Sequence, residues 1–328
     1  LWNRVEAFDP AELDRAFADR VILKATLMRL TMHAVDAVDY AVFHEAMQHT
    51  LRPARLLDPR FTVAGLSPEE TDALIPALSA FMARARTSDE VRAWLDERLG
   101  PPPRGGAWWA LRHYGPFVHA VTGGPWAFQR RAYLAADRAP SLDRAVAMRR
   151  LVRRYLDGFG PASQADVKQF VMTYVGPIRD AIRALLADGE IIRLEGPGGR
   201  ELFDVPGGLL PPEDSPAPPR LLGMWDEILL AYADRGRVIS PDVRAEVARV
   251  NGDTLPSVLV DGRVVGVWRA APNGIEVTAF ERLVDDAWAG LAREARGLVA
   301  FLADRETLPY RRYLHWWKRL PKAETRLL

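Results

Sequence analysis

Arg29, Thr31 and His33 place a guanidinium, a hydroxyl and an imidazole at every second position of the run Arg29-Leu-Thr-Met-His33. In an extended strand alternate residues project from one face, so the three would stand in a row. Such a row can hold an anionic oxygen and help place a water. The plainer alternative is the polar, solvated face of a hairpin. Two more histidines occur in His44-Glu-Ala-Met-Gln-His49, one residue longer than the zinc-protease string. That spacing sets the rings about 140° apart on a helix, so they read as surface histidines of a helix capped by Asp36. The carboxylate pairs Glu69-Glu70 and Asp285-Asp286 fall on polar helical faces and read as solvated. The sequence has no cysteine, no phosphate-loop string and no Gly-x-Ser-x-Gly string. This excludes disulfides, thiolate metal sites and thiol nucleophiles, and leaves an enzyme of small metabolites without a motif.

Charge points toward an anionic partner. The net charge of the 328 residues is +1. Yet Arg104 to Tyr155 holds ten arginines against Asp137 and Asp143, a net of +8. Arg305 to Leu328 holds seven basic residues against Glu306 and Glu324, a net of +5, so the other 252 residues carry −12. Arginine's planar fork suits phosphates and guanine edges, although a GC-rich genome gives the same preference over lysine. The candidate phosphate contacts are Arg130, Arg131, Arg149, Arg150, Arg153 and Arg154. Consecutive arginines on a helix point to different faces, so about half of them are expected to reach an anion. Hydrophobic residues make up 48% and charged residues 27%, an ordinary globular balance. No run approaches the ~20 apolar residues of a membrane helix, and no secretory signal pattern opens the chain. A cytoplasmic protein is the default. Leu1 stands inside what reads as a running segment, so the natural start is expected to lie further upstream.

The elements that must carry these residues recur along the chain. The clearest copy runs from Ser141 to Pro206. Ser141 is expected to cap a helix through about Asp157, and Ser163 with Asp166 makes a capping-box start for a second helix. Pro177 sits in the first turn of a third helix, which Asp188-Gly189 ends. Glu190–Glu195 and Arg200–Val205 are then strands about the turn Gly196-Pro-Gly-Gly199. Three helices and a two-stranded wing make a winged helix-turn-helix. A second copy reads as helices Ser88–Leu99 and Ala107–Tyr114, a strand Phe117–Val121, the turn Thr122–Pro125 and the run Trp126–Leu134. A first, shortened copy reads as a helix Pro10–Ala18 and strands near Val21–Leu27 and Leu30–Ala34. Repetition of this kind describes an array.

The expected organisation is therefore a first winged-helix unit with connecting helices over 1–87, a second over 88–140 and a third over 141–206. A Pro-rich linker follows over 207–219. Residues 220–304 read as a β-rich module, with hairpin turns at Asp261-Gly262 and Asn273-Gly274 and a closing helix from Glu281 to Leu302. A basic aromatic tail covers 305–328. In the tail, Tyr310, Tyr313, Leu314 and Trp317 recur as an α-helical stripe that would dock on the body; a DNA-contacting arm is the alternative. The fold class is mainly α with small β-sheets, an α+β arrangement.

Four segments carry a resemblance. Arg29-Leu-Thr31-Met-His33, Gly160-Pro161-Ala162-Ser163, Trp225-Asp226 through Leu230-Ala-Tyr232-Ala-Asp234-Arg235, and Val258 through Trp268 occur in the order of the AlkZ-like winged-helix DNA glycosylase family, which the chain resembles from about Leu1 to Leu302. The resemblance implies tandem winged helices and a β-rich module forming a C-shaped clamp. It also implies a monofunctional DNA glycosylase that hydrolyses N-glycosidic bonds of alkylated or crosslinked purines, in DNA repair or self-resistance to genotoxins. Double-stranded DNA is the implied partner, bound by a monomer at the cytoplasmic nucleoid, with no cofactor, no metal and no membrane. Arg29 would hold DNA near the reaction centre, with Thr31 and His33 as accessory catalytic candidates. The family's catalytic motif, a glutamine, an aliphatic residue and then glutamine or aspartate, is expected upstream of Leu1. Gln164-Ala-Asp166 has that form but lies in a helical first turn, where capping explains it. A non-enzymatic DNA-binding regulator or lesion-masking protein is the alternative function.

Overall fold

The computed structural model describes residues 1–101, 104–136, 142–250 and 252–328. Helices dominate, and the strands among these residues pair antiparallel in small sheets of two, three, two and five strands, an α+β fold. Two compact units divide the chain: Asp9–Gly208, and Leu1–Phe8 together with Leu209–Leu328.

The larger unit opens with α1 (Pro10–Ala18), started by the Asp9 carboxylate on the Ala11 amide and by Pro10 in the first turn, where its missing N–H costs nothing. The hairpin β1 (Ile22–Thr26) and β2 (Met32–Asp36) follows, with Ala25 opposite His33. Asp36 caps the long α2 (Ala37–Leu56), accepting from the Val38 amide at 2.9 Å. Short helices α3 (Pro59–Thr62), α4 (Pro68–Ala73) and α5 (Ile75–Phe81) lead to β3 (Arg86–Thr87). Then come α6 (Ser88–Leu99), α7 (Gly105–Tyr114), β4 (Phe117–His119) and β5 (Ala132–Ala135). The strand expected from Trp126 begins only at Ala132. Trp126 and Ala127 take φ of +64° and +57°, and Ala127 closes a loop by donating to the Gly124 carbonyl at 3.0 Å. The core here gathers Met47, Leu51, Leu78, Met82, Leu95, Trp108 and Leu111, all fully buried.

The unit ends with α8 (Arg144–Phe159), α9 (Gln164–Val171), α10 (Val175–Ala187), β6 (Ile192–Gly196) and β7 (Arg200–Asp204). Three helices and a two-stranded ribbon thus follow one another in the order that turn chemistry indicates. Ser141 lies outside the described residues; Asp143 caps α8 through the Ala145 and Val146 amides. Ser163 and Asp166 form the capping box of α9, which accounts for the Gln164-Ala-Asp166 string. Gly198 and Gly199, at φ +70° and +73°, reverse the chain between β6 and β7 in a conformation that side chains with a Cβ resist.

The smaller unit is built on a sheet ordered β12-β11-β10-β9-β8, comprising β8 (Arg220–Leu221), β9 (Ser257–Val260), β10 (Arg263–Ala271), β11 (Gly274–Ala279) and β12 (Glu324–Leu327). Asp261 and Gly262, both at positive φ, form the turn that matches strand twist. Helices α11 (Pro241–Val247) and α12 (Asp285–Leu302) accompany the sheet. Residues 1–8, expected in the first winged-helix unit, fold here instead: the rings of Trp2 and Phe8 lie 5.9 and 6.0 Å from Phe301, and Arg4 pairs with Asp226.

The tail departs from the α-helical stripe in geometry but not in burial. Arg311–Arg319 is a 3₁₀ helix that stops before Pro321, as the residue ahead of a proline avoids helical angles. Tyr313, Trp317 and Leu320 enter the core of this unit, against Leu222, Met224, Val264 and Val267. Leu314 is only half-buried. The tail then supplies the edge strand β12, paired along β11.

Candidate functional site

The turn between β1 and β2 holds the residues singled out for chemistry. They do not form the expected strand row. Arg29 and Leu30 take left-handed angles, φ +54° and +59°, so the chain doubles back before the strand resumes and only His33 lies within β2. The doubling brings Arg29 onto His33, Nη2 to Nε2 at 3.4 Å. The Thr31 hydroxyl donates to the Met28 carbonyl at 3.1 Å, which closes the turn. His33 Nδ1 lies 3.1 Å from the Thr31 carbonyl. The tautomer that suits both contacts carries its proton on Nδ1 and leaves Nε2 as acceptor toward Arg29. Burial, and then the Arg29 charge, push the His33 imidazole down to about 4, so it is neutral near pH 7.

Two residues that the sequence did not mark brace this turn. Arg29 Nη1 donates to the Phe170 carbonyl at 3.3 Å, and its guanidinium lies 4.8 Å from the Phe170 ring. Phe170 itself packs with Tyr155 and Phe159 at 5.0 and 5.3 Å, so an aromatic cluster of α8 and α9 backs the cation. On another side Arg55, at the end of α2, reaches the Leu30 carbonyl at 3.4 Å and stacks over Trp109 at 5.1 Å. The turn is therefore held by side chains from α2 and α9, and neither contact has a local sequence signal.

The six candidate phosphate-binding arginines fall into two sets. Arg149 on α8 pairs with Asp188 and with Glu190. Arg153 also reaches Glu190, at 3.6 Å, and Arg154 pairs with Asp39 and Asp157 at 3.0 and 2.9 Å. These three help fasten α8 to its neighbours. Arg130, Arg131 and Arg150 are exposed, and none has a carboxylate partner among the described residues. Two histidines feel the charge of the arginines around them. His119 is driven down to about 3 by burial and then by Lys24, Arg112, His113 and Arg131. His113 is pushed to about 4, chiefly by burial, with Arg55, Arg112 and Arg60 adding repulsion.

His44 is not the surface residue expected. It is half-buried, with Nε2 2.9 Å from the Tyr114 carbonyl and its ring stacked on Tyr40, while His49 is exposed. No group of three histidine or carboxylate side chains able to hold a metal lies together among the described residues. No helix among them is long and apolar enough to cross a membrane.

Comparison with known proteins places these features. The sequence profile described as DNA glycosylase AlkZ-like matches residues 1–301. An interstrand DNA cross-link repair glycosylase of Streptomyces sahachiroi is 27% identical over 301 residues, which span 84% of this chain and 78% of that protein. The solved structure of Streptomyces sahachiroi DNA glycosylase AlkZ is 24% identical and shares the fold, with a TM-score of 0.73 over 92% of this chain and 85% of that one. With the match running through the whole of the larger unit and most of the smaller one, the chain belongs to the AlkZ-like family of DNA glycosylases.

Proposed function

We propose that this chain is a monofunctional glycosylase that binds double-stranded DNA as a monomer and hydrolyses the N-glycosidic bond of alkylated or crosslinked purines. The observation that carries the reading is the braced Arg29–His33 pair, a fixed cation beside a neutral imidazole in a family of DNA glycosylases. Glycosidic cleavage passes through an oxocarbenium-like state and needs a placed water. An N7-alkylated purine already carries positive charge as a leaving group, so strong acid catalysis is unnecessary. In this reading Arg29 holds a backbone phosphate beside the lesion and His33 Nε2 accepts from the water or from Arg29, which keeps the pair in register. Thr31 contributes by closing the turn.

The repeated helical units with their ribbons are read as winged helices, and Arg130, Arg131 and Arg150 supply phosphate contacts. Arg149, Arg153 and Arg154 serve mainly to fix α8. The test is incubation with duplex containing N7-methylguanine. From a protein that carries the family's Gln-aliphatic-Gln/Asp motif, free N7-methylguanine and an abasic site that breaks only on alkali treatment are expected. Tight binding by that protein with no base released would favour the lesion-masking alternative.

A further inference from the structure

We infer that the outward face of the C-terminal tail is a contact surface for the phosphate backbone of duplex DNA. The inference rests on the DNA-binding reading above, but on residues beyond the family match, which ends at 301. Tyr313, Trp317 and Leu320 are buried and β12 is hydrogen-bonded into the sheet, so the segment between them is held as part of the unit. What it presents outward is cationic: Arg311, Lys318, Arg319 and Lys322 are all exposed.

A basic tail could simply be drawn to an acidic body. Residues 209–304 do carry a net −5, with ten arginines against fifteen carboxylates, against +5 for residues 305–328. That explanation requires ion pairs between the two, and these four cations have no carboxylate partner among the described residues. The body-facing work is done by apolar side chains, and the cations are left for something else. Residues three apart eclipse in a 3₁₀ helix, about 6 Å along the axis, so Arg312 and Lys318 lie on one side of it and Arg311 and Arg319 on the two others, with Lys322 beyond Pro321. Unpaired cations exposed on a fixed segment fit backbone phosphates, which neutralise them while releasing their counterions.

The test uses the whole chain with Arg311→Gln, Lys318→Gln, Arg319→Gln and Lys322→Gln combined, beside Arg130→Gln, Arg131→Gln and Arg150→Gln combined. Duplex affinity is followed by fluorescence anisotropy across a salt series, with melting temperature as the control for folding. The tail variant is expected to melt like the parent and to flatten the slope of log affinity against log salt by about 0.9 per lost contact, about 3.6 for all four. The loss should be equal for damaged and undamaged duplex. If the tail variant keeps the parental slope while the other variant flattens it, the tail does not touch DNA and the glycosylase reading stands. If the parent itself shows no salt-dependent duplex binding, both readings fall. A tail variant with parental DNA binding that no longer binds vesicles of phosphatidylcholine and phosphatidylserine would assign these cations to lipid headgroups and overturn the inference.

Discussion

Helix α8 and the C-terminal tail are both rich in cations, and they use them in opposite ways. On α8, Arg149, Arg153 and Arg154 lean on Asp188, Glu190, Asp39 and Asp157. On the tail, Arg311, Lys318, Arg319 and Lys322 are exposed with no carboxylate partner among the described residues. The cations of α8 are thus partly neutralised within their own unit, while those of the tail are presented to solvent. Charge density along a sequence measures how much cation is present, and only the fold decides how much remains for a ligand. The tail's aromatic residues explain the difference, because they anchor the segment while these four cations stay without a carboxylate partner among the described residues.

The comparison breaks most visibly at the anchors. Trp317 is 4% exposed in the core of the smaller unit, and Trp317→Ala is expected to lower stability by about 3–5 kcal/mol, the range for truncating a buried tryptophan. Denaturant unfolding measures it. Removing the chain after Leu308 should cost still more, since Tyr313, Leu320 and β12 leave with it. A truncated chain with unaltered melting would mean that the tail is an arm resting on the surface, and the contrast with α8 would vanish.

Next in size are the effects at the braced turn. His33→Ala and Phe170→Leu should each slow base release by about ten- to a hundredfold, the scale of a small misplacement at a reacting centre, with duplex affinity little changed. Single-turnover assays on N7-methylguanine duplex separate the two quantities. Equal losses in binding and release would show that Phe170 acts through folding alone.

How far these features could be read beforehand follows from the distance over which each is determined. The hairpin at Asp261-Gly262, the capping box of Ser163 and Asp166, and the cap of Asp36 are settled by residues within a few positions, and all are legible in the sequence. Phe170 lies 141 residues from Arg29, and Asp39 lies 115 from Arg154, so neither pairing leaves a local trace. The Arg29–Thr31–His33 row was half legible. The residue types were informative, but period-two spacing assumed a strand where two left-handed residues make a turn. Strand β12 escaped because Glu324-Thr-Arg-Leu327 alternates no apolar face. As an edge strand it is mostly exposed and needs none.

Acid should set the neutral, buried imidazoles apart from the exposed cations. His33, His113 and His119 sit at about 4, 4 and 3 in the fold against an ordinary 6.5. Below 6.5 the unfolded chain takes up protons that the folded chain refuses, so the unfolded state binds more protons and stability falls as pH drops from about 6.5 toward 4. Melting temperature measured across that window should decline, and His119→Gln should make the decline shallower. A flat profile would mean that these rings are hydrated.

The smallest effect is expected where the sequence shows the most charge. Arg149→Gln removes a guanidinium from α8 that already faces two carboxylates. Exposed ion pairs contribute little to stability, because water screens them and two long side chains must be held in place; melting should hardly move. The salt dependence of duplex binding should barely change either, since a phosphate would have to displace Asp188 and Glu190 to use this residue. Arg150→Gln, one position along and without a carboxylate partner among the described residues, should flatten the slope by about 0.9. The pair of variants compares neighbours on one helix with the same charge removed. If Arg149→Gln flattened the slope as much as Arg150→Gln, the ion pairs of α8 would open on binding, and the line drawn between spent and available cations would have to be redrawn along the whole helix.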